Sequence, residues 1–170
     1  MIIRRLSPKD VVDYRRLRLR GLRENPEAFG SAYSEEVKRP VKMFVQRLKW
    51  TADRWTFGAF EGERLVGVVT LMRDSGQKQR HKASILGMYV HTKMRRKGIG
   101  RALLSRIIET AVQLRGLRQL KISVVEENRP AERLYKSVGF RVYGREEDAL
   151  FVRGRFYAEL FLIRTLIKGH

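Results

Sequence analysis

The stretch MRRKGIGRALL, residues 94–104, sets four cations, Arg95, Arg96, Lys97 and Arg101, around Gly98 and Gly100. A glycine has no Cβ, so the backbone there can approach an anion closely. A helix that begins at such a loop also aims unpaired N–H groups and the positive end of its dipole at that anion. Pyrophosphate suits this combination of glycines, cations and helix start. Two glycines at a helix start cost roughly 1 kcal/mol each relative to Ala, which disfavours a loop that holds nothing. Two familiar glycine loops fit poorly. The dinucleotide pattern Gly-x-Gly-x-x-Gly fails at Leu103, and Gln119 and Leu120 stand where its acidic ribose ligand would fall. The triphosphate loop needs Gly-Lys followed by Ser or Thr, whereas Gly100 is followed by Arg101-Ala102.

A second chemical candidate lies downstream in VVEENRPAERLYKSVGF. Asn128 is placed to cap a short helix. Tyr135 falls on one face of that helix with Ala131, Leu134 and Val138. Its phenol, with a pKa near ~10, can give a proton to a leaving group of similar basicity. Spacing alone equally makes it a core aromatic with a satisfied hydroxyl. By residue type, Glu35, Glu36, His81 and Glu159 are the candidate general bases, and a water relay is the alternative to all four. The chain has no cysteine, so disulfides, thiolate nucleophiles and cysteine-held metals are excluded. His81 has no partner at metal-ligand spacing, and no metal is expected.

These residues need elements to position them. IIRRL reads as a strand, and SPKD as a helix start with Ser7 as cap, Pro8 at the first helical position and Asp10 reaching back. That helix ends at Asn25-Pro26. An irregular loop through EAFGSAYSEE leads to a short helix. Pro40 then opens another, with Val41, Phe44, Val45 and Leu48 at helical spacing. WTFGAFEGERLVGVVTLM predicts two strands around a turn at Glu61-Gly62. ASILGMYV is a buried strand, Gly98 to Arg115 a helix ended by Gly116, and LKISVV another buried strand. The Asn128 helix runs to Val138 with Gly139 as its stop. Two late strands are expected near Phe140–Tyr143 and Phe156–Thr165. The order predicts an α/β fold with a mixed, twisted sheet and helices on both faces, its central strand–helix–strand unit parallel and right-handed.

The 170 residues suit one domain spanning the chain, with no linker or repeat. No segment has the ~20 apolar residues of a membrane helix and no export signal is legible, so the cytoplasm is the default expectation. The 37 basic and 18 acidic residues give a net charge of +19. Such a balance is compatible with nucleic acid or a ribosome as partner, but the charge is spread along the chain and no nucleic-acid motif accompanies it.

The sequence resembles the GNAT N-acetyltransferases in two segments. YVHTKMRRKGIGRALL resembles the family's Arg/Gln-x-x-Gly-x-Gly/Ala signature, with Arg95, Gly98 and Gly100 in its fixed places. ENRPAERLYKSVGF resembles the Asn-x-x-Ala-x-x-x-Tyr helix, with Asn128, Ala131, Tyr135, Gly139 and Phe140 matching. What the resemblance implies is a sheet splayed between two central parallel strands, with acetyl-CoA in the gap. It implies backbone contacts from Met88, Tyr89 and Val90 to the acetyl and pantetheine parts. It places the pyrophosphate on Arg95, Arg96, Lys97, Gly98, Ile99, Gly100 and Arg101, the pantetheine arm near Asn128, and Tyr135 as the general acid. The glutamate that some members carry before the loop aligns with Ser84, which cannot act as a base. Glu35 and Glu36 fall near the expected mouth of the acceptor site, where they would suit a cationic amine. The acceptor itself stays open between a small amine, a polyamine, a protein N-terminus and a lysine. A homodimer through the late strands is compatible with the resemblance. A ribosome- or nucleic-acid-associated protein and a non-catalytic acetyl-CoA binder are the competing classes.

Overall fold

A computed structural model describes residues 1–166. Strands β1 (Ile2–Arg5), β2 (Arg54–Glu61), β3 (Arg64–Arg73), β4 (Lys82–Val90), β5 (Gln119–Val125), β6 (Arg141–Val152) and β7 (Arg155–Thr165) form one sheet. Their order across it is β1-β2-β3-β4-β5-β7-β6. All neighbours are antiparallel except β4 and β5, which run parallel. The mixed α/β architecture expected from the sequence is what the chain adopts.

The helices α1 (Val11–Glu24), α2 (Tyr33–Glu36), α3 (Val41–Leu48), α4 (Ile99–Gln113) and α5 (Arg129–Ser137) cover both faces. Two cores result. On one face Tyr14, Leu17 and Leu22 of α1 and Phe44 and Leu48 of α3 pack against Phe60, Leu65, Val68 and Tyr89. On the other, Leu103, Leu104, Ile107 and Ala111 of α4 join Val66, Val69, Leu71 and Leu120 of the sheet. Residues of β3 feed both cores. That is why its sequence is a continuous apolar run rather than an alternating one.

The parallel pairing decides the shape of the site. It holds for three residue pairs only, Lys82 with Gln119, Ala83 with Leu120 and Ser84 with Lys121. Beyond Ser84 the strands part. Gly87, at a left-handed φ of +58°, lies where the β3–β4 register shifts between Val68 and Thr70. A glycine tolerates that conformation without strain, and the bulge turns the end of β4 away from β5.

The late hairpin corrects one expectation. The penultimate strand extends to Val152, well past the predicted Tyr143. Its middle, GREEDA, is polar and exposed, so no apolar alternation marks it. β6 is an edge strand with two register shifts, and only β7 specifies its pairing. The connection, Arg153-Gly154 with φ of +50° and +78°, is a two-residue turn with both residues left-handed, the kind that matches strand twist.

Candidate active site

Where β4 and β5 separate, Met88 and Val90 pack with the α4 core while Tyr89 turns to the α1 core. The Tyr89 hydroxyl donates to Glu24 Oε2 at 3.1 Å. This strand end therefore presents its backbone, with Met88 and Val90, to the gap.

The basic loop follows. Arg95 ties it down: its Nε donates to the Val90 carbonyl at 3.1 Å and its Nη2 to Asn25 Oδ1 at 2.8 Å. Arg96 and Gly98 both take positive φ, +63° and +76°. Gly98 caps α4 directly, so the first N–H groups of the helix are left free of side-chain caps. A Cβ on Gly100 would lie 3.1 Å from Leu134 Cδ2 and 3.2 Å from Met88 Cε. The second glycine is thus also needed for close approach of α4 to α5 and β4.

A cleft of about 610 Å³ opens over this surface. Met88, Tyr89, Val90, Arg95, Arg96, Gly98, Ile99, Gly100, Asn128 and Tyr135 all line it. Lys97 and Arg101, expected with them, do not. The Lys97 amine lies 3.7 Å from Met94 Sδ, and Arg101 reaches away to donate to Ser137 Oγ at 2.8 Å. Asn25, Glu27 and Ala28 line the cleft as well. Sequence reasoning assigns them no role, because Asn25-Pro26 carries only the signal of a helix end. Nothing local announces that the Asn25 amide will meet a guanidinium 70 residues away.

On the other side of the splay a second cavity, of about 360 Å³, lies between Ile85–Met88 of β4 and Ile122–Val125 of β5, with Arg18, Ala28–Ser31 and Glu159 at its borders. Ala28, Met88, Asn128 and Tyr135 line both spaces. Asn128 caps α5 by accepting the Ala131 N–H at 3.3 Å, which anchors the helix that carries Tyr135. Tyr135 is 7% exposed, and burial pushes its pKa up to about 12. Among the described residues its hydroxyl has one weak partner, Met88 Sδ at 3.8 Å. A neutral phenol with no strong acceptor sits where the two cavities meet, which leaves its proton available to a third party.

The two expected acceptor-site carboxylates are not found at either cavity. Glu35 is exposed on α2. Glu36 is 1% exposed and bound by Arg18 from α1, at 3.3 Å, and Arg47 from α3, at 3.0 and 3.1 Å. Burial opposes its ionisation, but the hydrogen bonds from Arg47 and Arg18 prevail and hold its pKa at about 2. Its carboxylate locks three helices together. Of the other base candidates, His81 lies at the start of β4 on the surface, its carbonyl accepting from Arg118 and Gln119. Ser84 sits in the paired part of β4. Glu159 alone borders a cavity. Among the described residues no group of three or more His, Asp or Glu side chains is placed to hold a metal, and no helix is long and apolar enough to cross a membrane.

A glycine-capped helix start, a splayed parallel pair and a buried tyrosine thus meet at two adjoining cavities. The model of the Acetyltransferase (GNAT) family matches residues 22–140, and the chain belongs to that family. Acetyltransferase PseH of Campylobacter jejuni is 28% identical over 105 residues, a match spanning 62% of this chain and 62% of that protein. Among solved structures, a GNAT-family acetyltransferase from Streptococcus pneumoniae superposes with a TM-score of 0.85 at 22% identity, covering 97% of this chain and 98% of the other. The yncA acetyltransferase of Salmonella typhimurium, solved with acetyl-CoA, does so with a TM-score of 0.84 at 20% identity, covering 100% and 96%. These structural likenesses establish the shared fold.

Proposed function

We propose that the protein transfers an acetyl group from acetyl-CoA to a primary amine, with both substrates bound at once. The observation that carries this reading is the position of Tyr135 at the junction of the two cavities, neutral and without a strong hydrogen-bond acceptor. The larger cleft fits acetyl-CoA. The N-terminus of α4, with Gly98, Gly100 and Arg96, suits a pyrophosphate. Met88, Val90 and Leu134 offer an apolar wall to a pantetheine chain, and Asn128 lies beside it. Acetyl-CoA supplies a thioester carbonyl that an amine can attack.

This chain's residues then have three tasks. The backbone N–H of Tyr89 or Val90, at the splayed strand end, polarises the carbonyl oxygen. The cavity walls hold the amine in line; an ordinary alkyl ammonium, with pKa ~10.4, must first release a proton, which passes to water. As the new C–N bond forms and the C–S bond breaks, Tyr135 donates its proton to the departing sulfur. It regains one, through water, from the nitrogen that has just acquired the acetyl group. One proton leaves nitrogen and one arrives on sulfur, so the transfer balances. The raised pKa keeps the phenol protonated and ready to donate between turnovers, but makes it a weaker acid toward the sulfur than an unperturbed phenol.

Tyr135→Phe tests the assignment. With CoA release followed over a panel of amines, kcat falls about 10²- to 10⁴-fold, the usual range for a lost acid. The acetyl-CoA Kd, measured by calorimetry, stays as in the wild type. An unchanged kcat, with chemistry shown to be rate-limiting, overturns the role of Tyr135.

A further inference from the structure

The second cavity carries two charges of opposite sign, and neither is fully used by the protein. Glu159 of β7 borders it, and its side chain makes no hydrogen bond or ion pair with any described residue. Its partner across the β6–β7 ladder is Glu146. Directly opposed residues of an antiparallel pair project from the same face, and like charges there destabilise the pairing. A bound cation at Glu159 relieves that repulsion.

Arg18 is the opposite pole. Its Nε and Nη2 face Glu36, each at 3.3 Å, and its guanidinium lies 4.9 Å from the Phe29 ring centroid. Its Nη1 has no hydrogen-bond partner among the described residues. That atom lies 3.5 Å from where a Cβ on Gly87 would stand, beside the bulge that opens the cavity. The ion pair with Glu36 and the Phe29 ring fix the fork, so the free N–H groups are held ready to meet an anion. Charge over the whole molecule adds to this. At +19 the long-range field repels a polycation, a penalty that a zwitterion, whose own charges cancel, does not meet. A space of about 360 Å³ is at the small end of ligand pockets, which favours a small molecule over a peptide.

We propose that the acceptor is a small zwitterionic amine, its ammonium held at Glu159 and its carboxylate or phosphate held at Arg18 Nη1. The assignment rests on the acetyl-transfer reading above and names the substrate class for it.

The test compares acceptors that differ only in the anionic group, by CoA release on the intact protein. L-amino acids are set against their carboxamides, O-phosphoethanolamine against ethanolamine, with spermidine as the polycation. The expected result is a kcat/KM at least tenfold higher for the anion-bearing member of a pair, the carboxylate and phosphate arms showing which anion is preferred. Arg18→Lys keeps a cation for Glu36 but loses the fork, and shrinks that ratio. Glu159→Gln lowers kcat/KM for every amine at least tenfold while the acetyl-CoA Kd holds. The wild-type comparison needs no variant, so a folding defect cannot obscure it. Equal or better transfer to carboxamides, ethanolamine or spermidine overturns the zwitterion and leaves acetyl transfer standing. Acetyl-CoA binding with no transfer to any anion-bearing amine overturns the zwitterion, and transfer to an amine without an anion then decides whether acetyl transfer stands. Absence of acetyl-CoA binding overturns both.

Discussion

Tyr135 and Glu36 are both buried acids, and their surroundings drive them apart. Tyr135 has burial and no charged partner, so its proton is held more tightly. Glu36 has burial too, but two guanidinium groups outweigh it and the carboxyl is ionised down to a pKa of about 2. In the unfolded chain the same carboxyl titrates near 4.5. A depressed folded pKa gives stability that is fully present above pH 4.5 and is lost as pH falls toward 2. Glu36→Gln leaves Arg18 and Arg47 facing each other without a counterion, which costs ~3 kcal/mol or more at neutral pH. Urea denaturation from pH 7 down to pH 2 shows the loss at pH 7 and a flatter acid limb in the variant. Wild-type stability at pH 7 contradicts the account. At this scale the sequence told residue types but not partners. Sequence reasoning offers Glu36 to an acceptor mouth, but its carboxylate is buried between two arginines and borders neither cavity. That two arginines, 18 residues before it and 11 after it, would occupy it followed only from the packing of α1, α2 and α3.

Elements with local signals were legible. The apolar stripe of α4, the Asn128 cap of α5 and the glycine at the head of α4 are patterns of nearest neighbours along the chain, and the structure realises each. β6 was not, because an exposed edge strand is defined by its partner rather than by its own residues. The splay between β4 and β5 came from the resemblance; its cause, a left-handed Gly87 and three-residue pairing, is tertiary. The α4 N-terminus supports a prediction of its own. Gly100→Asn and Gly100→Asp have the same shape and meet Leu134 and Met88 alike, but only Asp brings a negative charge to the anion end of the helix. Calorimetry is expected to find acetyl-CoA bound at least tenfold more weakly by Asp than by Asn. Equal affinities contradict the pyrophosphate assignment.

The whole molecule brings together pieces that no window of sequence contains. Asn25 at the end of α1, Arg95 of the basic loop, Gly87 of the bulge, Tyr135 of α5 and Glu159 of β7 all border one continuous gap in the sheet. The two cavities share Ala28, Met88, Asn128 and Tyr135, the arrangement that the proposed transfer within one complex requires. The chain also has no cysteine to serve as an intermediate acetyl carrier. Direct transfer has a kinetic signature that a covalent acetyl-enzyme lacks. The decisive measurement is therefore the initial rate of CoA release over a grid of acetyl-CoA and amine concentrations. Double-reciprocal lines that intersect are the result expected of one complex holding both substrates. Parallel lines, together with acetylated protein in the absence of amine, would contradict it.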